Sequence, residues 1–111
     1  METLVEAVRE QMGTEDDYDE FRDTMSDVAQ GGAEAGFGGF TYTNDCVDFY
    51  EANKDAIWEL LREDACQMGY DNATALIGSF NRADMAEDPD GLANLLAWYA
   101  LEFVARHVSD Q

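Results

Sequence analysis

Asp16, Glu20, Asp23 and Asp27 step by four, three and four along the chain, and Asp48, Glu51, Asp55, Glu59 and Glu63 step by three, four, four and four. On a helix of 3.6 residues per turn, either series stacks its carboxylates on one face. Asp19 widens the first row, and Glu2, Glu6 and Glu10 form a third, shorter one. Proton transfer is not the chemistry these rows suggest, because no carboxylate pair stands in an apolar stretch that would push one of the two towards a general acid. What they offer is a ladder of anions for a basic partner. Five carboxylates along about 22 Å of helix give one per roughly 5 Å, near the phosphate spacing of a single DNA strand and sparser than the ~1.7 Å per charge of a duplex. Like charges at i and i+4 each weaken a helix by a few tenths of a kcal/mol, so folding alone does not favour the arrangement.

The whole composition carries the same sign. Twenty-five Asp and Glu stand against six Lys and Arg in 111 residues, for a net charge of -19 and a pI near 4.1. Solubility requires only about 2 to 8 net charges in a small domain. Acid on this scale excludes direct binding to DNA, RNA or an anionic membrane, which rely on Lys and Arg. A basic protein surface is the expected partner. Spread evenly over the ~6,100 Å² of a chain this size, the charge is one per roughly 320 Å². A duplex presents one per roughly 110 Å², so imitation of DNA requires the acids to gather on a face. Lys54 is the sole Lys, and an acidic, Lys-poor surface also suits molar salt, where the Debye length is about 3 Å. That adaptation predicts a chain that unfolds at low salt.

Other reactive residues are few. His107, the sole His, has no recognisable Ser or Cys partner and suits a helix C-terminus. Cys46 and Cys66 lack the spacing of a zinc site and are expected as free, buried thiols. The stretch QGGAEAGFGGFTYT lacks the Lys-Ser/Thr of a phosphate loop. Asp88-Pro89-Asp90-Gly91 is like the opening of a calcium loop, but Ala93, Leu95 and Tyr99 follow where ligands are needed. No catalytic residue, metal or cofactor is expected. No apolar run nears the roughly 20 residues of a membrane span, and METLVEAVRE lacks the order of a signal peptide, so a cytoplasmic location is expected.

Hydrophobic spacing supplies the elements that would carry the rows. Leu4, Val5, Val8 and Met12 predict a helix over 2–12 ended by Gly13. Thr14 is placed to cap a second helix over 15–29, with Tyr18, Phe21, Met25 and Val28 as its seam. A Gly-rich loop over 31–43 follows, with an extended piece at Phe40 to Thr43; it reads as a hinge or a contact loop led by Phe37 and Phe40, and Tyr18, Tyr42 or Phe37 are candidate anchors amid the acid. Residues 45–68 read as one helix or as two with a bend near Asn53, ended by Gly69. Asp71 or Asn72 caps a short helix through Leu76, Ile77 and Phe80, and 82–91 form a polar connection. From Leu92 to Val108, Leu95, Leu96, Tyr99, Phe103 and Val104 make one stripe widened by Trp98, Leu101 and Val108, the pattern of a central helix. The expectation is one mainly α domain over 1–111, a bundle of about five helices around an apolar C-terminal helix. Acidic helices over 1–30 and a helical core over 44–111 flank the Gly-rich loop. Trp58, Trp98 and the Tyr residues are expected in the core.

The stretch from GGFTYTNDCVDFYEANKDAIWELL to LANLLAWYALEFVA, about two thirds of the chain, resembles small proteins carried by phages and mobile elements. Its size, acidity and style are similar to those of phage and plasmid inhibitors of bacterial defence, the anti-CRISPR and antirestriction proteins, several of which imitate DNA. That resemblance implies a non-enzymatic inhibitor blocking the basic nucleic-acid channel of a host defence complex. Its contacts would be Asp16, Asp19, Glu20, Asp23, Asp27, Asp48, Glu51, Asp55, Glu59 and Glu63. The alternative is an acidic helical adaptor or immunity protein on a basic toxin or restriction nuclease, with an aromatic anchor between Phe37 and Tyr42.

Overall fold

The structure, a computed structural model, describes residues 2–31, 44–80 and 82–110. Among the described residues are five α-helices and one 3-10 helix: α1 Glu2–Met12, α2 Tyr18–Gly31, α3 Asn44–Met68, α4 Ala73–Gly78, the 3-10 turn Ala83–Glu87, and α5 Pro89–Ser109. A radius of gyration of 13.3 Å equals the roughly 13 Å of a compact chain this long, so burial overcomes the charge repulsion. The helix α5 is central, with α2 and α3 packed most extensively on it and α1 and the 3-10 turn joining them. The expected Gly-rich loop, its Phe40 to Thr43 piece and its aromatic contacts lie outside the described residues beyond Gly31, which closes α2.

The α1–α2 corner differs from the sequence expectation. Gly13 takes a φ of +68°, the left-handed conformation that glycine adopts most readily after a helix. Thr14 then closes α1 instead of opening α2, its N–H and hydroxyl both donating to the Arg9 carbonyl at 3.0 and 3.3 Å. The cap of α2 is Asp17, whose carboxylate accepts the Glu20 N–H at 3.0 Å. A carboxylate there also meets the positive end of the helix dipole. Arg9 fixes the corner: Nη2 donates to the Glu15 carbonyl at 2.7 Å, Nη1 lies 3.3 Å from Glu6, and the guanidinium sits 5.4 Å from the Tyr18 ring and 5.7 Å from that of Phe21. Tyr18, expected in the seam, is 43% exposed at the start of the helix, while Phe21, Met25 and Val28 are buried.

The bend in α3 falls at Asn53, with φ −123° and ψ 19°. Its own side-chain amide donates to the Phe49 carbonyl at 3.0 Å, taking up an acceptor of the helix ladder where the axis turns. Gly69, with φ +85°, ends α3. Asn72 caps α4, its carbonyl oxygen accepting the Ala75 N–H at 2.8 Å.

The last helix starts earlier than the periodicity predicts, because Pro89 belongs to its first turn, where a missing N–H costs nothing. The polar connection over 82–91 shrinks accordingly to the 3-10 turn and its flanks. A Cβ at Gly91 would collide with the Met85 carbonyl, so this glycine permits the turn to lie on the start of α5. Gly91→Ala therefore destabilises the chain by about 1–3 kcal/mol in urea titrations, although alanine is the better helix former by ~1 kcal/mol.

The buried face of α5 keeps Leu96, Leu101, Val104 and Val108 of the expected stripe but is rotated from the rest of it. Ala93, Leu96, Ala97, Ala100, Leu101, Val104, Ala105 and Val108 are buried, whereas Leu95, Trp98, Tyr99 and Phe103 are only partly covered. Trp58 is likewise half-buried, its indole N–H donating to the Tyr50 hydroxyl at 2.8 Å.

Both thiols are free, but only Cys46 is buried as expected; Cys66 is exposed near the end of α3. Burial, aided by the Asp45 carboxylate, pushes the Cys46 thiol up to about 11. Because the folded value lies above the ordinary ~8.5, this stabilisation is complete below that pH and is lost as pH rises through about 11. At pH 8 iodoacetamide should label Cys66 and spare Cys46 until urea unfolds the chain; equal labelling of both would show that Cys46 is accessible.

Candidate partner-binding surface and cleft

All ten expected contact residues are exposed. None is held in an ion pair among the described residues. They do not form one surface. Asp16 lies in the corner before α2, outside the helical row, because the helix begins at Tyr18. Asp19, Asp23 and Asp27 lie opposite the Phe21–Met25–Val28 seam, with Glu20 at the side of that band. On α3, Asp48 and Glu51 precede the Asn53 bend while Asp55, Glu59 and Glu63 follow it, so the 22 Å ladder expected of a continuous helix is broken into two pieces. Among the described residues α2 and α3 share no extensive contact, although both pack on α5. The two rows therefore stand on helices that each meet α5 and are not extensively packed on one another.

Density separates the two rows. From Glu15 to Asp27 seven exposed carboxylates surround the single exposed cation Arg22. The segment is roughly 20 Å long at helical rise with a slightly longer corner, which leaves about one net charge per 3 Å, close to the 3.4 Å of one DNA strand. The α3 row is diluted by Lys54, whose ammonium lies 5.8 Å from the Tyr50 ring, and by exposed Arg62. Over the whole surface of 6441 Å² the mean is only about 340 Å² per net charge, so the α2 edge stands well above the average.

The sequence reading missed a second feature. Between the C-terminal half of α3, α4 and the end of α5 lies a cleft of about 480 Å³. Asp64 reaches into it and is only 9% exposed, although it falls one position after the Asp55–Glu59–Glu63 series. That single step rotates it by about 100° onto the core side of α3. The Tyr99 hydroxyl donates to the Asp64 carboxylate, and Tyr99 stacks on Phe80 with ring centroids 5.1 Å apart. Burial, then the hydrogen bond and charge of Asp64, push the Tyr99 hydroxyl well above the ordinary phenol range, with Arg106 pulling weakly the other way. Exposed Met68 and Tyr70 line the mouth of the cleft with Arg106 and His107. Placing Asp64 in sequence required knowing which face of α3 meets α5. The one available signal was that Asp64 sits between Leu60, Leu61 and Ala65 in the apolar series.

Among the described residues no group of three His, Cys, Asp or Glu side chains is placed to hold a metal ion. Nor is any helix among them long and apolar enough to cross a membrane. Compared with known proteins, residues 2–111 match a family described as a domain of unknown function, DUF7222. The chain belongs to the DUF7222 family. No curated protein and no solved structure matches it. For this DUF7222 member, the candidate sites are thus the acidic α2 edge and the Asp64–Tyr99 cleft.

Proposed function

We propose that the protein is a non-enzymatic inhibitor that docks its acidic α2 edge on a basic nucleic-acid-binding surface of a host defence nucleoprotein complex and blocks it as DNA would. A CRISPR effector fits the anti-CRISPR resemblance, and the bacterial cytoplasm is then where the protein acts. The observation that carries this reading is the run of exposed carboxylates from Glu15 to Asp27, at about one net charge per 3 Å. Such a surface steers a basic partner at long range and loses its hold as salt shortens the Debye length. The α3 row has a secondary part, because it is bent at Asn53 and diluted by Lys54 and Arg62.

One observation favours a second reading, an acidic adaptor or immunity protein on a basic toxin or restriction nuclease. The α2 and α3 rows flank α5 separately, and exposed Met68, at 62%, offers an apolar anchor beside the cleft that a purely charge-reading partner does not use. Capture from a bacterial lysate at about 0.15 M salt, with and without excess duplex DNA, separates the two. The DNA-mimic reading expects a nucleic-acid-binding complex that the duplex displaces. Retention of a partner indifferent to DNA favours the adaptor, and failure to retain any basic protein defeats both.

A further inference from the structure

Asp64, one position out of step with the exposed α3 row, faces inward and lines an open cleft. A carboxylate offers about four acceptor sites, of which the Tyr99 hydroxyl uses one. Two long helices, α3 and α5, also end here, at Met68 and Ser109, and helix C-termini carry roughly half a negative charge each. Asp110 adds a carboxylate at the rim. Against this stand Arg106, an exposed guanidinium leaning on the Glu102 carbonyl at 3.4 Å, and His107. The walls are aromatic and apolar: Phe80, Tyr99 and Phe103, with Leu76 and the Met68 thioether. A carboxylate at the back of aromatic walls is the environment that holds an organic cation, by charge at the head and by ring faces around it.

We propose that this cleft binds an organic ammonium ion, with its head on the Asp64 carboxylate and its alkyl part against Phe80, Phe103 and Met68. An anion attracted by Arg106 would meet Asp64 and two helix C-termini on entry, and a neutral alkyl group would leave the remaining acceptor sites of the carboxylate unused. The ammonium has two sources, a free alkylamine or the side chain of a lysine presented by a protein. The site does not depend on the acidic α2 edge having a partner.

The test is a titration of protein carrying methyl-labelled methionine with n-butylammonium chloride, at fixed ionic strength, reading the Met68 methyl signal. A saturable shift is expected, with n-butanol and sodium butyrate at least tenfold weaker. Asp64→Asn, checked for helicity by circular dichroism, should weaken butylammonium at least tenfold, while the combined substitutions Asp16→Lys, Asp19→Lys, Asp23→Lys and Asp27→Lys should leave its binding unchanged. Capped lysine binding as well as butylammonium assigns the site to a protein side chain, and exclusion of capped lysine assigns it to a free amine. Equal responses to butylammonium and butanol, or a preference for butyrate, would overturn the proposal. That comparison uses the unmodified protein and holds even where Asp64→Asn fails to fold. Undiminished binding by a folded Asp64→Asn chain would overturn it equally.

Discussion

Asp16, Asp19, Asp23 and Asp27 changed together to Lys should lower affinity for the captured basic partner by roughly 100- to 1,000-fold at about 0.15 M salt. Exposed ion pairs contribute about 0.2–1 kcal/mol each, and reversal replaces attraction with repulsion at four places, so a total of about 3–4 kcal/mol is reasonable. The association rate should carry much of the loss, and the dependence of affinity on salt should flatten. All four side chains point to solvent, so the variant keeps its helicity. Matched reversal of Asp48, Asp55, Glu59 and Glu63 is the control, and less than a tenfold loss is expected, because that row is bent at Asn53 and diluted by Lys54 and Arg62. Surface plasmon resonance on both variants decides the matter. An α2 variant that binds like the original protein would remove α2 as the contact, and an α3 variant with the larger loss would move the site to α3.

Truncating Phe21 has the largest expected effect on the fold. Its side chain is fully buried where α2 packs on α5, and the Arg9 guanidinium and the Tyr18 ring lie over it, 5.7 and 5.9 Å from its centroid. Phe21→Ala should cost about 3–5 kcal/mol, because the cavity cannot close without moving α2 and the Arg9 clasp with it. For a domain of about 5–15 kcal/mol total stability that is a third or more. Tyr18→Ala, one turn from the same cluster but 43% exposed, should cost below about 1 kcal/mol. Urea titrations at constant salt give both values. Near-equal losses would mean that the two rings share the burden. Added salt should raise both midpoints by screening the -19 net charge, while a chain that folds only in molar salt would favour environmental adaptation over a partner.

The amino-acid sequence by itself determined the helical class, the stops at Gly13 and Gly69 and the exposure of every carboxylate in the two rows, and it narrowed the α4 cap to Asp71 or Asn72 and the place of any bend in α3 to the region of Asn53. These are local properties: a left-handed φ, a side-chain cap and a 3.6-residue period need no knowledge of the neighbouring helices. Where two local signals competed, the outcome depended on contacts. The sequence pointed to Thr14 as the cap of α2, and that role falls to Asp17 because the Thr14 hydroxyl closes α1 instead.

Only the tertiary structure decided which face of α5 is buried. Of the expected stripe Leu95, Leu96, Tyr99, Phe103 and Val104, only Leu96 and Val104 are fully buried, yet Ala93, Ala97, Ala100 and Ala105 lie inside, because small residues let neighbouring helices approach the central one closely. Hydrophobicity ranks side chains by size and polarity, but packing also selects by how near two backbones must come. The same long-range geometry set the acidic rows on separate flanks of α5 and brought Tyr99 to Asp64 across 35 residues of chain. A carboxylate one step out of an exposed series is buried only where a distant hydroxyl is there to meet it.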